Sequence, residues 1–159
     1  MTKYLRMSLL IVPLLLIGSL GGCALMSELS GMQHRYAACS YDHAWDAAVA
    51  AVKDRSADTM DKEAGLIVTQ WLEIPMPGRT YGVFRREVSD SRDRSRLTLK
   101  VKQMDDVARI SFVEERQGWA FRGGSRLFGW VRTEPSEEVM RDVQNRIDAK
   151  LKERGCTVG

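Results

Sequence analysis

The sequence predicts an α+β domain: an antiparallel sheet of about four to five strands with two amphipathic helices packed on one face. Three observations predict it. Apolar residues recur at helical spacing near both ends of the chain, from Ala44 to Val52 and again from Val139 to Leu151. Between them, residues 96–102 alternate strictly, with Leu97, Leu99 and Val101 to one side and Thr98, Lys100 and Lys102 to the other. One face on a core and the other in water favours antiparallel pairing.

The chain opens with Lys3 and Arg6, then an apolar run over residues 7–20, then Gly21-Gly22-Cys23. A basic start, an apolar centre and small residues before a cleavage point form an export signal. The apolar run is 14 residues long and contains Pro13, so it is shorter than the roughly 20 residues that a helical span needs. Leu20-Gly21-Gly22-Cys23 resembles the lipobox of bacterial lipoproteins. That resemblance implies a signal peptide over 1–22, removed before Cys23, with lipidation of the Cys23 thiol and usually of the new amino terminus (palmitate is a typical chain). Two acyl chains give stable attachment, each buried CH₂ contributing about 0.8 kcal/mol. In Gram-negative lipoproteins an Asp after the cysteine tends to hold the protein at the inner membrane. Here Ala24 follows, which implies the outer membrane, on its periplasmic face.

The formal charge is +3, but Lys3 and Arg6 leave with the signal and no acid does. The remaining chain is near neutral, so its charge gives no argument for nucleic acid, and export argues against such a partner. Residues 38–159 suit one periplasmic domain with a sizeable core. If Cys23 is lipidated, Cys39 and Cys156 remain, and two cysteines in an oxidising compartment point to a disulfide. The alternative is two separate thiols.

Taken in order, residues 23–37 read as a lipidated N-terminus and tether, with a short edge strand possible near 35–39. Helix one is expected over 41–55, with Ser40 as N-cap, Asp42 in the first turn and Trp45 as the anchor of its apolar face. Residues 66–72 are β-branched and aromatic and read as one strand, which Pro75 and Pro77 stop. Residues 80–88 can form the next strand, and 89–94 read as a solvated turn. After the strand at 96–102, Met104-Asp105-Asp106 makes a tight connection. Residues 107–115 return, with Ala108, Ile110 and Phe112 toward the core. Residues 117–132, rich in glycine, aromatics and arginine, read as a loop with a short strand possible near 127–131. Helix two is expected over 136–154. Pro135 or Ser136 marks its start, Glu137 and Glu138 fall in the first turn, Lys150 and Lys152 near its end, and Gly155 stands at C′.

This order of helix, antiparallel strands and long C-terminal helix resembles the helix-grip domains of the outer-membrane assembly lipoprotein C (BamC/NlpB) family. The residues that carry the likeness are Tyr41-Asp42-His43-Ala44-Trp45-Asp46-Ala47-Ala48 and Asp61-Lys62-Glu63-Ala64-Gly65-Leu66-Ile67-Val68-Thr69-Gln70-Trp71, together with the lipobox. The resemblance covers about 38–154. It implies an accessory role in outer-membrane protein assembly. The family carries two such domains and a long N-terminal segment that contacts the assembly machinery, whereas this chain has one domain and a short tether.

Enzyme motifs are absent: there is no HExxH, CxxC, GxSxG or P-loop, and no metal ligand set or cofactor is implied. His43 reads as a solvated first-turn residue and His34 lies in the tether. Of the acidic pairs, Glu114 and Glu115 diverge if they lie on a strand. Asp105 and Asp106 fit a turn, and Glu137 and Glu138 fit a helix start. The stretch richer than a scaffold needs is 119–132. Its Trp119, Phe121, Arg122, Arg126, Phe128 and Trp130 are candidate partner-binding residues, because aromatics and arginine concentrate in interface hot spots. The same mix suits a lipid or glycan surface, and the aromatics could instead fold back onto the sheet. Trp71 and Tyr81 extend the patch if they face away from the helices. Three functions follow as expectations. The first is an accessory or scaffold module docking on an envelope protein. The second is a helix-grip groove binding an apolar small molecule or lipid. The third, a hydrolase, has no constellation to support it.

Overall fold

A computed structural model describes residues 31–75, 79–81, 86–88, 92–122 and 128–159. The expected signal peptide over 1–22, Cys23 and Arg126 lie outside the described residues. The described chain runs β1 (Gln33–Ala38), α1 (Tyr41–Ala51), β2 (Ala57–Asp61), β3 (Leu66–Thr69), β4 (Leu72–Pro75), β5 (Arg79–Tyr81), β6 (Arg86–Val88), β7 (Arg92–Met104), β8 (Val107–Phe121), β9 (Phe128–Thr133), α2 (Glu137–Glu153) and β10 (Thr157–Val158). Eight strands form one antiparallel sheet in the order β10-β1-β8-β7-β3-β2, with β4 added to β7 and β9 added to β8. β5 and β6 pair in a separate hairpin. Both helices pack on one face of the large sheet.

The helices begin and end where local chemistry places them. Ser40 and Ser136 are the N-caps, each accepting a hydrogen bond from the backbone N–H three residues on. α2 closes in a Schellman turn. Gly155 has φ +75°, its N–H donates to Lys152 O at 3.0 Å, and Cys156 N–H donates to Leu151 O at 2.9 Å. α1 is shorter than the periodicity predicts, stopping at Ala51 with Val52 as its cap. Ala44, Trp45, Ala47, Ala48 and Ala51 of α1 and Met140, Val143, Ile147 and Leu151 of α2 meet Ile67, Leu97, Leu99, Ile110 and Phe112 of the sheet in one core. The alanine face of α1 brings its backbone close to the sheet, and Trp45 fills the width beside it.

The sheet has more strands than the four to five expected, because β2 and β10 are added and the run over 66–72 is split. β2 is exposed along its whole length and carries two aspartates, so neither burial pattern nor propensity marks it as a strand. The run read as a single strand over 66–72 is broken: Val68 pairs with Thr98, but Leu72 pairs with Ser95. One extra residue therefore sits on the β3–β4 side, a bulge that reverses the side-chain alternation. Residues 80–88 hold the ends of the β5–β6 hairpin in place of one strand. The first residues of β7, read as part of a turn, already pair with β4 and β8.

β1 starts at Gln33, inside the expected tether, and lies between β8 and β10 instead of at an edge. The β7–β8 hairpin turns at Asp105 and Asp106, with Asp105 at φ 52°, a conformation that Asp tolerates. Cys39 and Cys156 follow and precede the paired Ala38 and Thr157. The bridge expected between them is not formed: both are free thiols. Burial first, with Cys156 alongside, pushes the Cys39 thiol up to about 12.

Candidate functional site

The two helices leave the other face of the sheet open, and the long β7–β8 pair decides what it carries. Pairing register places Arg92, Arg94, Arg96, Thr98, Lys100 and Lys102 of β7 in one row on this outer face. Their neighbours on β8 are Gln117, Glu115, Val113, Ser111 and Arg109, opposite Arg94 to Lys102 in turn. The inner row of β7 begins with Asp93 and Ser95 and continues into Leu97, Leu99 and Val101, all buried.

β8 continues past the helices to Phe121 and folds back into β9, so the segment read as a loop is a hairpin. It pairs Trp119 with Trp130 and Phe121 with Phe128 directly across the strands. The tryptophan rings meet edge to face at 5.2 Å and the phenylalanine rings at 5.6 Å, the arrangement that aromatic quadrupoles favour. The phenylalanines close the described end of the hairpin and stay open to solvent, Phe121 at 62% and Phe128 at 41%.

Trp71 joins this group from the other side of β7. Plain alternation from Ile67 and Thr69 would point it into the core; the bulge before β4 turns it to the outer face. The arginines of β7 then stack between the aromatics. The Arg94 guanidinium lies 4.4 Å from the Trp71 ring centre and 4.3 Å from that of Trp130. Arg96 lies 4.8 Å from Trp71, and Arg92 lies 5.4 Å from Trp119 and 5.9 Å from Trp130. Polar partners fix the same groups. Arg94 donates twice to Gln117 Oε1, at 2.9 and 2.7 Å. Arg96 pairs with Glu115 at 2.7 Å, and Arg132 approaches Glu115 at 3.9 Å. Glu73 reaches Arg92 only at 3.8 Å. Four arginines thus face two carboxylates among the described residues, and the row continues into Lys100, Lys102 and Arg109. Among the described residues this face is cationic and aromatic at once.

Of the candidate partner-binding residues, Trp119, Phe121, Phe128 and Trp130 come together. Arg122 does not join them. Its aliphatic stem covers Gly129, where an added Cβ would meet Arg122 Cδ at 2.9 Å, on the face opposite the tryptophans. The arginines that do stack are those of β7: Arg92 and Arg94 fall in the stretch read as a turn, and Arg96 opens the expected strand. Tyr81 falls in β5, whose side chains lie outside the described residues.

At this same end of the sheet the inner face is polar, and most of its groups are hydrogen-bonded. Asp93 Oδ2 accepts from Arg116 at 2.8 and 3.1 Å, Arg55 donates to Ser95 Oγ at 3.0 Å, and Thr69 Oγ1 accepts from Leu97 N–H at 2.9 Å. Glu114 points inward and accepts from the N–H of Ser136, the α2 N-cap, at 2.6 Å, whereas Glu115 points outward. The two acids diverge as strand neighbours should. His34 Nδ1 lies 3.0 Å from Ser111 Oγ. No cluster of His, Cys, Asp and Glu fit for a metal occurs among the described residues, and none of their helices is long and apolar enough to cross a membrane. A surface cleft of about 470 Å³ between the helix ends is lined by charged groups, Asp54, Arg55, Arg141, Asp142 and Arg146 among them. The helix–sheet interior is filled by Phe112, Ile67, Leu97, Leu99, Ile110, Ile147 and Leu151. No protein-family model matches the chain, and no curated protein matches its sequence.

Proposed function

We propose that this chain is a membrane-anchored envelope lipoprotein that acts without catalysis, as an accessory or scaffold module. Cys23 carries the lipid, the outer membrane is its site on the periplasmic side, and the folded domain docks on an envelope protein. The helix-grip likeness to the outer-membrane assembly lipoprotein C family makes outer-membrane protein assembly the process in view. The observation that carries the binding role is the outer sheet face. Arg92, Arg94 and Arg96 are held between Trp71, Trp119 and Trp130 while Phe121 and Phe128 remain exposed beside them. Fixed aromatic and guanidinium groups in one surface patch are what interface cores use. A ligand groove between helices and sheet has less support, since large side chains fill that space.

The test is affinity capture from detergent-solubilised envelopes with lipidated full-length protein. The parent is compared with a Phe121→Ala, Phe128→Ala, Arg92→Ala triple variant whose thermal melt matches it. Stoichiometric capture of one protein by the parent and its loss from the variant are expected. Equal capture by both would overturn this use of the face. Cell fractionation of Cys23→Ala tests the anchor: release into the soluble periplasm is expected, and unchanged membrane retention would refute lipidation at this position.

A further inference from the structure

Resting on that binding role, we infer that the free edge of β9 takes an added strand from the partner, an extended segment bearing acidic residues. Exposed sheet edges pair with other chains unless something blocks them. Three edges of this sheet are blocked. β2 has a register break between Ala57 and Thr59 and carries Asp58 and Asp61. β4 is four residues long and ends in Pro75, and β10 has two residues. β9 differs from all three. It runs six residues in unbroken register with β8, from Thr133 opposite Arg116 to Phe128 opposite Phe121. It contains no proline, lysine or bulge, and among the described residues it pairs on one side only. Every second residue of such a strand turns its N–H and C=O away from β8.

The side chains along that edge define what fits. The outer row is Phe128, Trp130 and Arg132, backed by Arg92, Arg94 and Arg96. The inner row is Gly129, Val131 and Thr133, small or apolar, with Val131 37% exposed. An added strand would therefore set apolar or aromatic residues opposite Phe128 and Trp130. A carboxylate would stand opposite Arg132, whose one carboxylate neighbour among the described residues, Glu115, is 3.9 Å away and already bound to Arg96. Main-chain hydrogen bonds would supply affinity, and the alternating side chains would supply selectivity.

The experiment places a benzoylphenylalanine photo-crosslinker singly at 128, 130 and 132 in the full-length lipidated chain, irradiates intact envelopes, and maps the adducts by mass spectrometry. The expected result is adducts on one acid-rich segment of one protein, advancing by two partner residues for each two-residue step along β9. Arg132→Glu should cut the yield at 128 and 130 about tenfold, because a favourable charge contact becomes a repulsive one. Adducts on a partner protein without this stepwise register would overturn strand addition and leave the accessory-module role standing. Adducts on a second copy of this chain, on its own residues 23–30 or on lipid would overturn the inference. So would no adduct at any position. If affinity capture also finds no partner, the module role fails with it.

Discussion

Replacing Arg94 by Lys tests whether the outer face is fixed by stacking or only by charge. Lys keeps the positive charge and most of the stem but loses the planar fork. In the structure that fork contacts two indole rings, at 4.4 and 4.3 Å, and donates two hydrogen bonds to Gln117. A half-exposed cation–π contact contributes about 0.5–1 kcal/mol. A hydrogen bond from a charged group contributes about 1.5–3 kcal/mol when buried and less here, where water competes. An ammonium recovers part of both, so Arg94→Lys should destabilise by about 1–2 kcal/mol. Urea unfolding followed by far-ultraviolet circular dichroism reads this as a lower midpoint at unchanged slope. A double-mutant cycle with Trp71→Leu should give a coupling of about 0.5–1 kcal/mol. A loss below about 0.3 kcal/mol, or zero coupling to Trp71, would refute the argument that stacking holds this arginine in place.

Three further outcomes follow from single contacts. Gly65→Ala should cost more than about 2 kcal/mol in a thermal or urea melt, because Gly65 has φ +65° and an added Cβ would collide with the Val101 carbonyl oxygen. Glu114→Ala should cost about 1.5–3 kcal/mol and speed hydrogen exchange in the first turn of α2, because Glu114 Oε2 accepts from Ser136 N–H; Glu114→Gln keeps an acceptor and should lose less than half as much. The Cys39 thiol sits at about 12 in the fold against 9.0 as its ordinary value. Its contribution is therefore complete below pH 9 and is lost as pH rises toward 12, since the unfolded chain releases the proton first. Alkaline urea titrations should show a steeper loss for the parent than for Cys39→Ala; parallel curves would count against burial of this thiol.

Much of the scaffold was legible because it rests on local signals. Ser40, Ser136 and Gly155 mark helix ends through the backbone groups they satisfy, and the alternation of Leu97, Leu99 and Val101 names the core face of β7. The placement of Trp71, Arg92 and Arg94 was not legible, for a physical reason. Their placement depends on register between strands distant in sequence, and one extra residue between Val68 and Leu72 reverses the face on which Trp71 and the β4 side chains fall. Arg92, Asp93, Arg94 and Ser95 resemble a turn by composition, because nothing local shows that Asp93 will be buried against Arg116 and Ser95 against Arg55. The aromatic content of residues 119–130 was readable as unusual. That it forms a hairpin depends on Trp119 meeting Trp130, a pairing that only the folded register reveals.

The same geometry explains why stability and binding need not compete in this domain. The core lies between the helices and the inner face, where Trp45, Phe112 and Ile147 pack, so the outer face is free of that duty. Its arginines nevertheless do not swing freely, since Gln117, Glu115 and three indoles hold them in the unbound fold. A partner carboxylate arriving at this face would meet guanidinium groups whose side-chain entropy was lost on folding, at about 0.5–1.5 kcal/mol for each side chain so held. Loosening the stack should therefore weaken binding even where charge is kept. Arg94→Lys is expected to lower affinity for the captured partner through faster dissociation, with the association rate changed little because the electrostatic field is the same.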